Sequence, residues 1–172
     1  MTLPAMLIAT VGGLLLIASW EDLTTYRIAN WIPLVIFAMF PAYALGLGLT
    51  LEQILWHAVA FAVTLAIGFA LFAWGKVGGG DVKLLAALAL WAGWGIPLVN
   101  LLAVTTILGG VLSLAILLCR ATPVAFVVDA FFGARGWSCA VFDPGNKDAP
   151  YGVAISAAFF VLLFAPLNWG VS

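Results

Sequence analysis

Lys76-Val77-Gly78-Gly79-Gly80-Asp81-Val82-Lys83 is followed by LLAALALWAGWGIPLVNLLAVTTILGGVLSLAILLC, Leu84 to Cys119, and this passage decides the fold. No charged residue occurs between Lys83 and Arg120. A helix rises ~1.5 Å per residue, so one helix of this length would run ~54 Å against a hydrocarbon layer of ~30 Å. The run therefore reads as two helices joined by a tight turn, marked by Gly93, Gly95 and Pro97. Asp81 stands at its head, and Asp22 closes an earlier apolar run in the same way. Charge beside hydrocarbon is expensive, which makes both acids functional candidates.

Composition agrees. Of 172 residues, 66% are hydrophobic and 8% charged, against roughly a quarter charged in soluble domains. Mean hydropathy is +1.23. A soluble fold cannot cover its surface with so few polar side chains. The chain reads as one all-α polytopic membrane domain over residues 1–172, without separate soluble domain, repeat or low-complexity segment. The alternation of an outer-membrane barrel is absent. No basic stripe points to nucleic acid.

Six spans can be placed: Leu3–Trp20, Trp31–Leu51, Ile54–Gly75, the two within Leu84–Cys119, and Tyr151–Gly170. The first has no basic residue before it and no convincing small-residue cleavage site, so it does not read as a removed signal peptide. With the N-terminus outside, the inner segments hold Arg27, Lys76, Lys83, Arg120, Arg135 and Lys147, which is every Lys and Arg. The outer face keeps only Glu52. That asymmetry predicts N-out, C-out and puts Asp22 and Asp81 at the cytoplasmic face.

The fourth span, Leu84 to Pro97, is ~21 Å long as helix, short of a full crossing. Either its outer turn dips into the membrane or Asp81 lies below the inner surface, where desolvation raises a carboxyl pKa. The Arg120–Pro150 loop is the only sizeable soluble piece. Within it, Pro123–Phe132 reads as an interfacial helix interrupted by Asp129.

The inventory of reactive groups is short. The lone His57 falls near the outer end of the third span, about a membrane thickness (~30 Å) from the acids. That excludes Ser-His-Asp, Cys-His and His-based zinc hydrolysis and leaves His57 as a packed or interfacial residue. Cys119 and Cys139 lack a CxxC partner and read as two thiols. No metal or cofactor is expected. What remains is an aspartate pair. Two nearby carboxylates cannot comfortably both ionise, so one keeps a proton at neutral pH.

Each residue also has a plainer reading. Asp81 after a glycine run suits a helix N-cap, and Asp22 alone suits an interfacial acid. The glycines do not form GxxxxGK[ST], and Asp81 would repel a phosphate. Arg27 and Lys83 read first as orientation charges, and the many Trp and Phe residues as packing and interface anchors.

These segments resemble a known family. Asp22-Leu23-Thr24-Thr25-Tyr26-Arg27-Ile28-Ala29-Asn30 is similar to the first-aspartate motif of type IV prepilin peptidases, which ends Ile-Pro-Asn. Gly78-Gly79-Gly80-Asp81-Val82-Lys83 resembles their GxGD motif, and Pro150-Tyr151-Gly152-Val153-Ala154-Ile155 the opening of their last helix. The resemblance covers nearly the whole chain. It implies that Asp22 and Asp81 are catalytic, with Gly78, Gly79, Gly80, Asn30 and Lys83 supporting them. It implies a multi-pass aspartic endopeptidase of the bacterial inner membrane, cutting the leader from a prepilin or pseudopilin at the cytoplasmic face after a Gly. Such a substrate would lay its apolar helix against the protein within the bilayer. Its basic leader would meet Glu21, Asp129, Asp143 and Asp148, of which the last three also read as solvated loop charges.

Two departures stand out. Ala29 replaces the usual Pro, which loosens the turn before the second span. The cysteine-rich insertion between the first two spans is missing, as in the short members associated with Flp/Tad pili, so methyltransferase activity is not expected. Two other classes compete: a small proton- or sodium-coupled transporter using the same acids as a relay, and a non-catalytic assembly subunit whose acids cap helices. Against the transporter, no midplane charge and no inverted repeat is evident.

Overall fold

The computed structural model of the chain describes residues 2–120 and 149–164. The expected interfacial helix at Pro123–Phe132, the loop acids, Arg135, Cys139, Lys147 and the end of the last span lie outside the described residues. The described residues contain six helices and no strand: α1 (Leu3–Thr25), α2 (Trp31–Leu47), α3 (Leu51–Ala73), α4 (Gly79–Ala92), α5 (Ile96–Arg120) and α6 (Tyr151–Phe164). Helices α1, α3 and α5 are each long and apolar enough to cross a membrane; α2 and α6 are shorter apolar helices.

Local chemistry sets the boundaries. Pro4 sits in the first turn of α1, where its missing N–H costs nothing. A capping box opens α3: the Gln53 N–H donates to Thr50 Oγ1 (3.3 Å) and the Thr50 N–H to Gln53 Oε1 (2.8 Å). The charge-free run breaks where the sequence predicts, with α4 ending at Ala92 and α5 starting at Ile96. Gly93 ends α4 at φ 75°, a conformation that penalises any Cβ, and a Cβ there would stand 2.7 Å from the His57 ring. Pro97 lies inside the first turn of α5 rather than in the turn itself.

Several boundaries differ from expectation: α2 ends at Leu47 rather than Leu51, and α4 begins at Gly79 rather than Leu84. Helix α1 does not stop at Trp20 but continues to Thr25, so Asp22 lies within it. Helix α3 starts at Leu51, which brings Glu52 into its first turn, beside the positive end of the helix.

Helix α4 is the centre of the bundle. It packs against α2, α3, α5 and α6, while α1 packs on α2 and α6. Val82, Leu84 and every residue from Ala86 to Ala92 are buried. A helix apolar on all sides is stable when neighbours surround it. Its alanines let the backbones close in, as small residues do between membrane helices. Across the α3–α4 contact, a Cβ on Gly68 would fall 2.6 Å from Val82 Cγ1. The outer helices expose large apolar residues such as Leu16, Ile67, Phe69 and Leu117, a surface suited to lipid.

Trp91 locks the far end of α4. It is fully buried, lies 4.5 Å from the Tyr43 ring, and donates its indole N–H to the Ile36 carbonyl at 3.0 Å. His57 packs at a tilt against Phe40, ring centroids 5.2 Å apart, and its Nδ1 lies 2.7 Å from the Leu90 carbonyl. It is a packed histidine, as expected. In a bilayer the transfer component of burial largely disappears, because lipid tails are as apolar as the core, so packing and cavity terms remain. Trp91→Ala is expected to destabilise the bundle by about 2–3 kcal/mol, measured by titrating the micelle-solubilised protein with a denaturing detergent.

Candidate active site

Asp22 is aimed inward by helical periodicity. Val11, Leu15, Ala18 and Asp22 recur at the spacing of one helix face, and all are buried. Asp22 is 4% exposed, so it is not a solvated surface acid, although it lies in the last turn of α1. Its Oδ2 accepts the Gly152 N–H at 2.7 Å. Gly152 lies in the first turn of α6, whose leading N–H groups have no partner within the helix, and the helix end carries partial positive charge. Ser156 ties the two helices further, its hydroxyl reaching the Leu15 carbonyl at 3.1 Å and the Gly152 carbonyl at 2.8 Å.

Asp81 is the third residue of α4, not its N-cap. Gly78 is the N-cap and has no side chain to supply one. The Asp81 carboxylate instead accepts the Gly78 N–H, the returning half of a capping box. Each glycine of the triplet makes room for something different. A Cβ on Gly78 would stand 2.7 Å from Asp81 Oδ2, one on Gly79 3.3 Å from the Phe72 ring, and one on Gly80 3.2 Å from Ile28 Cβ. The triplet thus brings α4 against both the end of α3 and the α1–α2 connection.

The two acids meet. Both line a cavity of ≈ 290 Å³ with Tyr26, Phe72, Lys76 and Tyr151. Both also line a second cavity of ≈ 280 Å³ with Arg27, Asn30 and Gly80. Asp81 precedes the charge-free run. Burial first, and the Asp22 charge second, push its carboxyl up to about 7, against the opposing effect of the Gly78 N–H. A carboxyl in that range can carry a proton near neutral pH and give it away, as a general acid must.

The supporting residues form a frame. Lys83 Nζ donates to Asn30 Oδ1 at 2.8 Å, joining α4 to the start of α2. The Glu21 carboxylate accepts the Ala29 N–H at 2.8 Å. Proline has no such N–H, so the Ala29 departure supplies a donor that fastens the turn it was expected to loosen. His57 lies beside Leu90 and Gly93, at the opposite end of α4 from Asp81. Nine residues of helix, Asp81 to Leu90, separate the two ends by ~14 Å, about half the expected distance and still too far for a shared proton. Among the described residues, no three of His, Cys, Asp and Glu gather where a metal ion would sit. Gly152, Tyr26, Tyr151 and Lys76 belong to the site but were not singled out for it. The Pro150-Tyr151-Gly152 segment carried the signal for two of them.

The sequence model of the type IV leader peptidase family matches residues 9–118. The chain belongs to the type IV leader peptidase family. Both aspartates and all but the last two residues of α5 fall within the matched range; Gly152 and α6 do not. Neither a curated protein nor a solved structure matches the chain. As a member of this family, it is a peptidase for type IV leader peptides in general, and its long apolar helices suit a membrane protein.

Proposed function

We propose that this leader peptidase is a membrane aspartic endopeptidase in which Asp22 and Asp81 act as a dyad. One observation carries the reading: carboxylates from two different helices, far apart in the chain, line the same two cavities at one end of the bundle. The ionised member takes a proton from water as that water attacks the scissile carbonyl. The protonated member donates to the carbonyl oxygen as the tetrahedral intermediate forms. The protons titrate with the pair, and neither microscopic role belongs to one residue. The substrate is a prepilin or pseudopilin, whose apolar helix stays in the bilayer while its basic leader lies at the surface. The basic residues favour six spans in a single domain, N-out and C-out, with the dyad at the cytoplasmic face of the inner membrane.

The test is co-expression with a prepilin-like substrate, scored by a leader-length mobility shift. Processing supports the endopeptidase. Ion flux across proteoliposomes without any proteolysis would replace it by the transporter. The dyad also predicts a bell-shaped dependence of kcat/KM on pH. The pair keeps its shared proton up to about 7, the value to which Asp81 is raised, and loses it above, so activity is expected to fall as pH climbs through about 7 to 8. On the acid side it falls again as the second carboxylate gains a proton. A rate flat between pH 5 and 9 in a detergent assay would contradict this.

A further inference from the structure

A third cavity, of ≈ 320 Å³, opens among α3, α4, α5 and α6. Val77, Asp81 and Tyr151 line both it and the 290 Å³ cavity, so it adjoins the dyad. Its walls are largely apolar, with Leu71, Leu85 and Ile155 among them. Beside Asp81, Thr106 and Tyr151, two buried hydroxyls break that pattern. Thr64 of α3 and Thr105 of α5 are 7% and 8% exposed, and neither Oγ1 has a hydrogen-bond partner. The molecule shows the usual remedy elsewhere: Thr10, Ser19, Thr24 and Thr106 each bond the carbonyl four residues back. Thr64 and Thr105 forgo that bond and leave their hydroxyls buried and unpaired, which is unfavourable until a ligand arrives.

The chemistry of the ligand follows. A peptide bond inside a helix has its carbonyl bonded and its faces shielded, so a dyad can attack only an unwound stretch. Unwound backbone within lipid depth has N–H and C=O groups that lipid cannot satisfy. A threonine hydroxyl both donates and accepts, so a pair suits backbone amides without selecting a side chain. We infer that this cavity holds the substrate chain just past the scissile bond, extended, with Thr64 and Thr105 hydrogen-bonded to its backbone. This rests on the endopeptidase reading and adds the subsite that unwinds the substrate.

The experiment uses the full chain in liposomes with a full-length prepilin-like substrate. Thr64→Val and Thr105→Val keep shape and remove the hydroxyl. Each is expected to raise KM roughly threefold to tenfold with kcat little changed, and Thr64→Ser and Thr105→Ser to return KM close to the parent value. Gly110 lines the same cavity and a Cβ there meets nothing within 4 Å. Gly110→Leu is therefore expected to insert and fold normally yet to block cleavage. A readout independent of turnover is disulfide capture. With Cys119 and Cys139 replaced by Ser and the dyad silenced by Asp81→Asn, Thr105→Cys is expected to trap a substrate cysteine placed just after the cleavage site. Lipid-facing Leu117→Cys is not. Unchanged KM in both valine variants overturns the inference, as does absence of capture at position 105. A fall in kcat alone also overturns it and gives the cavity to water. Full activity of Asp22→Asn and Asp81→Asn would instead remove the endopeptidase reading on which it stands.

Discussion

Asp22→Asn and Asp81→Asn are each expected to lower leader removal by about 10²–10⁴-fold, the usual contribution of a positioned acid or base. The variants should still insert and fold. Asparagine keeps the shape of aspartate, and its Oδ1 can still accept the Gly152 N–H at position 22 or the Gly78 N–H at position 81. What it loses is the capacity to hold or release a proton near neutral pH. The double variant should be no slower than the worse single one, because residues acting as a unit are not additive. Single-turnover cleavage in liposomes, with thermal unfolding as the folding control, reads all three. Rates within tenfold of the parent in both single variants would end the dyad account. Loss in one alone would leave the other acid as a structural cap.

Much of the fold was readable because it rests on patterns that the sequence displays. The charge-free run is too long for one crossing, and its glycines mark the break that separates α4 from α5. The site was half readable. GxGD marks Asp81 and suggests an N-cap, whereas the glycines themselves begin the helix and place Asp81 at its third position. The charge of Asp22 reads as the end of a span. Helical spacing from Val11 through Leu15 and Ala18 would have shown Asp22 on the buried face, and only Tyr26, left-handed at φ 51°, ends the helix. A tyrosine gives no sequence warning of that conformation.

Other features have no local signature. The hydrogen bond from Gly152 to Asp22 joins residues 130 positions apart. No periodicity in either helix reveals it. The same holds for the orphaned hydroxyls of Thr64 and Thr105, which are ordinary helical threonines until the packing of four helices denies them solvent. The Glu21–Ala29 bond holds the α1–α2 connection through a backbone N–H that a proline at position 29 would lack, and it forms because the Glu21 side chain reaches back over the connection.

Gly152 yields the second large effect. Its Cα stands where α6 meets both the α1–α2 connection and the first aspartate. A Cβ at this position would lie 2.7 Å from Ile28 Cδ1 and 2.9 Å from Asp22 Oδ2, distances at which something must move. The Ile28 methyl is the flexible end of a side chain and yields cheaply on its own. The carboxylate does not, because the N–H that holds it belongs to Gly152 itself. Gly152→Ala is therefore expected to displace Asp22 and reduce cleavage by about 10²-fold, the penalty for misplacing a reacting group by ~1 Å. Loss of stability should be small, about 1 kcal/mol. Ile28→Val separates the two contacts, since valine has no Cδ1. If Ile28→Val restores cleavage in the Gly152→Ala background, the damage passes through the connection and its packing on Gly80. If cleavage stays low while unfolding returns to the parent temperature, the damage is at the carboxylate, as expected for a glycine that lets a helix N-terminus hold Asp22 beside the second acid.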